Sequence, residues 1–177
     1  MQIKQTDLWP TRIWEIEDIF DEQFNQNLLE ELLQWREEFG SWTGVNPNHF
    51  NSDKPLINIA RNKFMEIIEE CVSPLFGEEW PEIERKFQKG WLHVCPPGTY
   101  TNVHPHDGAT MAMVYYLQAD KNSGDLVLID PRRGSDITDV KTRCSKCINY
   151  TPKVGKMIII PGYLFHEVLQ NNSNRNR

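Results

Sequence analysis

Two hydrophobic periods divide the chain into a helical first half and a β-rich second half. In the range Asp21–Phe39, large apolar residues recur at spacings of three or four, which is one face of an amphipathic helix. A second helix is predicted over Lys54–Cys71, with Asp53 as a candidate N-cap and Pro74 after its end. A short third helix is predicted over Pro81–Phe87. These helices are expected to pack one face on a sheet and to act as scaffold.

From Gly90 onward, short apolar runs are separated by Gly, Pro, Asn and Asp, which predicts a series of short strands. Many short strands at regular spacing are typical of a β-sandwich or barrel. The strands are predicted at Trp91–Cys95, Asn102–His106, Thr110–Leu117, Asp125–Ile129, Ile148–Thr151, Lys156–Ile160 and Phe165–Leu169.

Length and charge narrow the class of protein. The 177 residues suit a single domain, 1–177, with 1–89 as helical support and 90–177 as the β core. The net charge of -6 argues against a broad basic surface, so no nucleic acid is expected as a partner. The sequence shows neither an apolar signal segment nor a run long enough to span a bilayer, so a cytoplasmic protein without membrane contact is expected.

The spacing of Cys144 and Cys147 is that of a C-x-x-C pair, which is half of a tetrahedral zinc site. The sequence offers no second pair and no nearby histidine to complete that site. Plain reduced thiols in a loop are therefore the favoured interpretation, with a zinc site as the alternative.

Three histidines carry the strongest chemical signal. His104 and His106 are two apart in a segment predicted to be extended, and residues i and i+2 of a strand share a face. His166 lies far along the chain after an apolar strand, and a jelly roll brings such distant strands side by side. The three imidazoles can then bind one metal ion and leave positions open for other ligands. Asp107 is an alternative ligand to His106, should the strand break at Pro105.

The order of motifs in the second half resembles that of the 2-oxoglutarate/Fe(II) oxygenases of the prolyl-hydroxylase type. The resemblance is greatest to an uncharacterised branch that is common in bacteria and marine phages, which implies the cytoplasm of a bacterium or of a phage-infected host. The motifs are Gly98, Asn102, His104-Pro105-His106, Tyr115-Tyr116-Leu117, Gly124-Asp125-Leu126, Asp130-Pro131-Arg132, Pro152 to Gly155, Pro161, His166-Glu167-Val168 and Arg175. The implied fold is mostly β with α (α+β), a double-stranded β-helix with N-terminal helices packed on one sheet.

The resemblance implies a metal site in which His104, His106 and His166 bind Fe(II). His106 stands where relatives have an aspartate. Dioxygen and 2-oxoglutarate are the implied co-substrates, with ascorbate as a candidate reductant. The implied reaction is hydroxylation of a substrate that the sequence does not identify, with release of succinate and CO2. A homodimer is left open, because tryptophan is enriched at interfaces.

The resemblance also implies residues for 2-oxoglutarate. Arg175, nine residues after His166, takes the place of the basic residue that binds the distal carboxylate, and Arg177 on the same strand face is its rival. Tyr116 resembles the tyrosine that hydrogen-bonds the same carboxylate, whereas Tyr115 would point into packing. Two further residues before the histidine pair are candidates for co-substrate contact, namely Tyr100 and Asn102.

Two alternatives to this enzyme remain open. One is a metal-binding jelly roll without catalysis, which serves as a binding or structural module. The other is a three-histidine dioxygenase that does not use 2-oxoglutarate. Relatives continue with a further strand, so the last strand of this chain is expected to be cut short at Arg177.

Overall fold

Helices and antiparallel strands make up the part of the chain that the computed structural model describes, namely residues 4, 10–38, 53–76, 89–132 and 147–177. The helices are α1 (Glu22–Glu38) and α2 (Pro55–Phe76). The strands are β1 (Trp14–Ile16), β2 (Thr101–His104), β3 (Met111–Tyr115), β4 (Leu126–Ile129), β5 (Cys147–Tyr150), β6 (Met157–Pro161) and β7 (His166–Val168). The helix predicted over Pro81–Phe87 lies outside the described residues, as does Cys144.

Both long helices lie where the sequence predicts them. α1 begins with Asp21 as its cap, since the Asp21 carboxylate accepts a hydrogen bond of 2.7 Å from the Phe24 amide. α2 is longer than predicted and includes Pro74. Because Pro74 lies close to the end of the helix, it removes only one late hydrogen bond, and the fully buried Val72 holds this last part of the helix against the core. Neither described helix combines the length and apolarity needed to cross a bilayer.

The strands form two antiparallel sheets. Sheet A has the order β1-β6-β3, and sheet B has the order β2-β7-β4-β5. Three pairs are nested along the chain, namely β4 with β5, β3 with β6 and β2 with β7. The remaining pairs are β1 with β6 and β4 with β7. Outside these, Cys95 and Arg177 exchange two backbone hydrogen bonds of 2.9 and 3.0 Å. The predicted strand Trp91–Cys95 is therefore wrong as a regular strand, although its last residue pairs as a strand residue would.

Successive side chains of sheet A alternate between its two faces and so belong to two separate hydrophobic clusters. Met157 and Ile159 of β6 face the two helices, together with Met113 of β3. Ile158 and Ile160 face the opposite way, toward Leu126 and Leu128 of sheet B. Because both faces of sheet A are covered, β6 is apolar along its whole length and at most 1% exposed from 157 to 160. The inner face of each sheet is the face that looks toward the other sheet.

Candidate metal centre

Two of the three histidines are paired across neighbouring strands of sheet B. His104 is the last residue of β2 and lies opposite His166, the first residue of β7. On its other side, His166 lies opposite Leu128 of β4. Residues that face each other across a ladder share one face of the sheet. Since Leu128 belongs to the inner cluster, both imidazoles lie on the inner face.

His106 reaches the site from a loop and not from a strand. β2 ends at His104, before Pro105, which has no N–H to continue the ladder. The loop is fixed by backbone hydrogen bonds from His106 N to Gly162 O at 2.8 Å and from Gly162 N to Thr110 O at 3.0 Å. The prediction that His104 and His106 share one strand is therefore wrong. The turn after β6 positions His106 instead.

The three imidazoles converge closely enough to bind a single ion. One nitrogen of each ring lies within 4.8 Å of the corresponding nitrogens of the other two. The ring centroids are 4.4 Å apart for His104 and His166, 5.0 Å for His106 and His166, and 5.3 Å for His104 and His106. Among the described residues, this trio is the one group that could hold a metal. Asp107 is exposed in the following turn and does not belong to it.

Backbone carbonyls fix the tautomer of two of these histidines. His104 Nδ1 lies 2.7 Å from the Asn102 carbonyl, and His166 Nδ1 lies 2.8 Å from the Leu164 carbonyl. A carbonyl oxygen only accepts, so each Nδ1 carries the proton and each Nε2 keeps a free lone pair. This is the usual way in which a protein orients a metal-binding imidazole. Asn102 therefore contributes through its backbone, while its residue as a whole is exposed.

The surroundings also favour neutral imidazoles. Burial lowers the pKa of His106 below its usual value, and the neighbouring His166 and His104 lower it further. Burial likewise lowers the pKa of His166, against the opposing effect of its bond to the Leu164 carbonyl. A neutral imidazole is the form that binds a metal ion, so the site is prepared for a cation.

The stability of the metal-free protein is expected to depend on pH because of these shifts. The pKa values of His106 and His166 are lower in the folded than in the unfolded chain, so the unfolded chain takes up protons first on acidification. Stability should be lost as the pH falls from the ordinary histidine value of about 6.5 through the lowered values. Urea unfolding between neutral and acidic pH measures this loss. The His106→Gln variant should show a shallower dependence, and an equal slope would contradict the explanation.

A second polar group lies at the other end of the inner face. Tyr116 follows β3 and is buried in the inner cluster, and burial raises its pKa to about 12 against the opposing charge of Arg177. The Arg177 guanidinium donates hydrogen bonds to the carbonyls of Ser123 and Gly124, the latter at 3.1 Å. Tyr115, by contrast, packs against Phe20 and Phe64 below the helices, as expected for the tyrosine that points away.

The other predicted co-substrate residues are placed less favourably. The side chain of Arg175 is 69% exposed, and its guanidinium lies 3.8 Å from the Asp120 carboxylate. Tyr100 is 64% exposed. The structure thus places Tyr116 in the core within the electrostatic influence of Arg177, and leaves Arg175 and Tyr100 at the surface.

Two residues near this group were not singled out by their sequence pattern. The hydroxyl of Thr101 is buried and has no hydrogen-bond partner among the described residues. Thr101 lies opposite Val168, which places it on the inner face beside the histidine row. Cys95 is the second residue. Burial alone would raise the pKa of its thiol, but hydrogen bonds and charges from His93 and Arg177 outweigh that effect and lower it.

Comparison with known proteins relates this arrangement to one family. None of the curated protein sequences compared with the chain matches it significantly. Among solved structures, the chain is similar to a Pseudomonas putida prolyl-4-hydroxylase, with a TM-score of 0.59 and 13% identity over 94% of this chain and 83% of that one. It is also similar to SnoN, a non-heme alpha-ketoglutarate-dependent epimerase from nogalamycin biosynthesis, with a TM-score of 0.67 and 10% identity over 94% and 74% of the two chains. Residues 89–177, half of the chain, match the sequence profile described as "Putative 2OG-Fe(II) oxygenase". The chain therefore belongs to this 2OG-Fe(II) oxygenase family.

Proposed function

We propose that the protein is an iron(II)- and 2-oxoglutarate-dependent dioxygenase in which His104, His106 and His166 are the metal ligands. The observation that carries the proposal is the convergence of three imidazoles within 4.8 Å, two of them held in the tautomer that leaves Nε2 free. Three neutral nitrogen donors suit iron, zinc, copper or nickel. Membership of the oxygenase family favours iron among these.

The fold that we propose is the double-stranded β-helix. Its support is the nested pairing of β4 with β5, β3 with β6 and β2 with β7, closed by the backbone pair of Cys95 and Arg177. Successive pairs alternate between the two sheets, which is how a long hairpin folds into a jelly roll. The space between the sheets then holds the histidines on an inner wall.

For the distal carboxylate of 2-oxoglutarate we assign Arg177 in preference to Arg175. The charge of Arg177 acts on the buried Tyr116, and a planar guanidinium can donate two parallel hydrogen bonds to a carboxylate. Gly124, whose carbonyl accepts from Arg177, lies just before β4, and Leu128 lies further along that strand. Leu128 faces His166, so the Arg177 guanidinium and the histidines lie toward opposite ends of β4, as a co-substrate with a carboxylate at each end requires.

Each group of residues in the site has its own role in the proposed reaction. When bound, iron(II) with dioxygen and 2-oxoglutarate supplies the oxidation of a substrate C–H bond, coupled to formation of succinate and CO2. His104 and His166 are held rigidly by carbonyls, so they orient the metal. Because His106 is neutral where relatives have a carboxylate, the site has one more positive charge, which favours an anionic co-substrate. Arg177 and Tyr116 orient that co-substrate, and the apolar inner cluster excludes water.

The Arg177 guanidinium also distinguishes the proposed function from its two alternatives. A three-histidine dioxygenase that does not use 2-oxoglutarate has no use for a carboxylate site at the far end of the inner face. A non-catalytic metal-binding module has no use for it either. Binding of 2-oxoglutarate is therefore the measurement that distinguishes the proposed function from both alternatives.

Succinate release tests the proposed function. The protein is loaded with iron(II) without oxygen, and then supplied with 2-oxoglutarate and air, with succinate measured by mass spectrometry. Arg177→Gln should raise the KM for 2-oxoglutarate about 10- to 100-fold, because charged hydrogen bonds are worth about 1.5–3 kcal/mol. Arg175→Gln should change it less than about threefold. Iron-loaded protein that releases no succinate above a metal-free control would overturn the proposal.

The unpartnered hydroxyl of Thr101 gives a second test of the same site. Replacing a buried polar group that has no partner by an apolar group of the same shape is neutral or stabilising, so Thr101→Val should leave the metal-free protein at least as stable in urea. The same variant should raise the KM for 2-oxoglutarate about tenfold if the hydroxyl donates to the co-substrate. The matched control is Thr110→Val, which makes the same substitution at an exposed position. Ser123→Ala cannot serve as a control, because the Ser123 hydroxyl accepts a hydrogen bond from the Asp120 amide. An unchanged KM for Thr101→Val would remove Thr101 from the site.

A further inference from the structure

We propose that Asn171 is a positioning residue for Arg177, and this inference rests on the proposed role of Arg177 in binding 2-oxoglutarate. Asn171 is a polar residue that is only 1% exposed, yet its amide is fully used. Nδ2 donates to the Cys95 carbonyl at 2.9 Å and to the Arg175 carbonyl at 2.8 Å. Oδ1 accepts from the amide of Ser173 at 3.0 Å and from its hydroxyl at 2.7 Å.

These bonds hold the two backbone segments that carry the arginine. The Cys95 carbonyl accepts from Asn171 Nδ2 and from the backbone amide of Arg177, so one side chain fixes the group to which Arg177 is bonded. The Arg175 carbonyl, two residues before Arg177, is held by the same Nδ2. The backbone of Asn171 adds bonds to Thr99 O at 2.8 Å and from Gly98 N at 2.7 Å. Asn171 thus binds the last residues of the chain to the segment 95–99.

Hydrophobic packing gives these last residues little support. The segment 172–176 contains no apolar side chain, and four of its five residues are exposed. Outside the Asn171 and Ser173 bonds, its backbone is held by a bond from Asn172 N to Asn122 O and by one from Gln118 to Asn176 O at 2.7 Å. The Arg177 guanidinium is held directly by the Ser123 and Gly124 carbonyls, and the Asn171 amide supports the backbone segments on either side of the Cys95–Arg177 pair, although Asn171 itself is not assigned to the metal or to the co-substrate.

Kinetics of the iron-loaded protein test this role. Asn171→Ala should raise the KM for 2-oxoglutarate about tenfold, at the lower end of the 10- to 100-fold effects of residues that orient a binding group. The kcat at saturating 2-oxoglutarate and the affinity for the metal alone should stay within about threefold. The matched control is Asn172→Ala, which removes an exposed side chain from the same segment and should leave the KM unchanged.

A double-mutant cycle separates positioning from a general structural effect. If Asn171 acts through Arg177, then Asn171→Ala should change the KM no further in a chain that already carries Arg177→Gln. Additive effects of the two substitutions, or an unchanged KM in Asn171→Ala, would overturn the inference. If Arg177→Gln alone has no effect, it is the proposed co-substrate role that fails.

A milder variant keeps the test informative if Asn171→Ala does not fold. Ser173→Ala removes the hydroxyl that bonds Asn171 Oδ1 and the backbone of Arg175, and it should raise the KM for 2-oxoglutarate about threefold, again without effect on metal affinity. An unchanged KM in a folded Ser173→Ala protein would count against the inference in the same way.

Discussion

Replacement of His166 by alanine should lower the affinity for iron(II) by more than about 100-fold and abolish 2-oxoglutarate turnover. His166 is 3% exposed and lies closest to both other imidazoles, so its loss removes the central ligand of the trio. Residues that only orient a metal ligand typically change affinity by about 10- to 100-fold, and a direct ligand should exceed that range. Isothermal titration with manganese(II) under anaerobic conditions gives the affinity without turnover.

His93→Ala is the control for this loss. His93 is exposed and contacts Cys95 rather than the trio, so its removal should leave metal affinity within about threefold. The metal-free His166→Ala protein should also keep its far-ultraviolet circular dichroism, which separates a lost ligand from a lost fold. Metal affinity that survives in His166→Ala would refute the three-histidine site.

The Gly162→Ala variant should be severely destabilised and should also bind metal poorly. A Cβ atom at position 162 would lie 2.0 Å from the Ala109 carbonyl oxygen and 3.1 Å from the His106 carbonyl oxygen. Both obstacles are backbone atoms, so the loop that carries His106 has to move. Overpacking of this kind costs about 1–3 kcal/mol or more, and we expect about 3 kcal/mol in urea unfolding. The displaced loop carries a ligand, so metal affinity should fall in parallel.

Gly108→Ala, in the same loop, isolates the steric part of this effect. Gly108 has a φ of +81°, but a Cβ atom there would meet nothing within 4 Å. The Gly108→Ala variant should lose about 1 kcal/mol of unfolding free energy, from the strained backbone conformation alone, with little change in metal affinity. Equal losses in the two variants would show that the contact between Gly162 and the His106 loop is unimportant.

The elements with a long or clear period were predictable from the sequence. α1 and six of the seven described strands lie within a few residues of their predicted positions. The strands were predictable because short apolar runs bounded by Gly and Pro are typical of β-strands. β1 was not predicted, since three residues, Trp14–Ile16, are too few to show alternation. The extension of α2 to Phe76 depends on tertiary burial of Val72, which no local signal reveals.

The convergence of the three histidines was predictable from the sequence, but the way in which His106 reaches the other two was not. The spacing of His104 and His106 indicated a shared site, but a hydrogen bond to Gly162 places His106, and that contact joins distant parts of the chain. The choice between Arg175 and Arg177 likewise depends on what surrounds each guanidinium. Alternation alone puts both arginines on one face, so only the exposure and contacts of each guanidinium separate them.

The wide separation of the ligands along the chain also bears on how the protein folds. His106 and His166 close a loop of about sixty residues that contains β3, β4, β5 and β6. Bringing the ends of such a loop together costs conformational entropy, and a cation bound at both ends offsets part of that cost. A metal ion that binds only the native chain acts as a removable crosslink between the two ends of this loop. Uptake of the ion should therefore coincide with the docking of β7 between β2 and β4. Refolding followed through the metal would then report the slowest long-range closure of the chain.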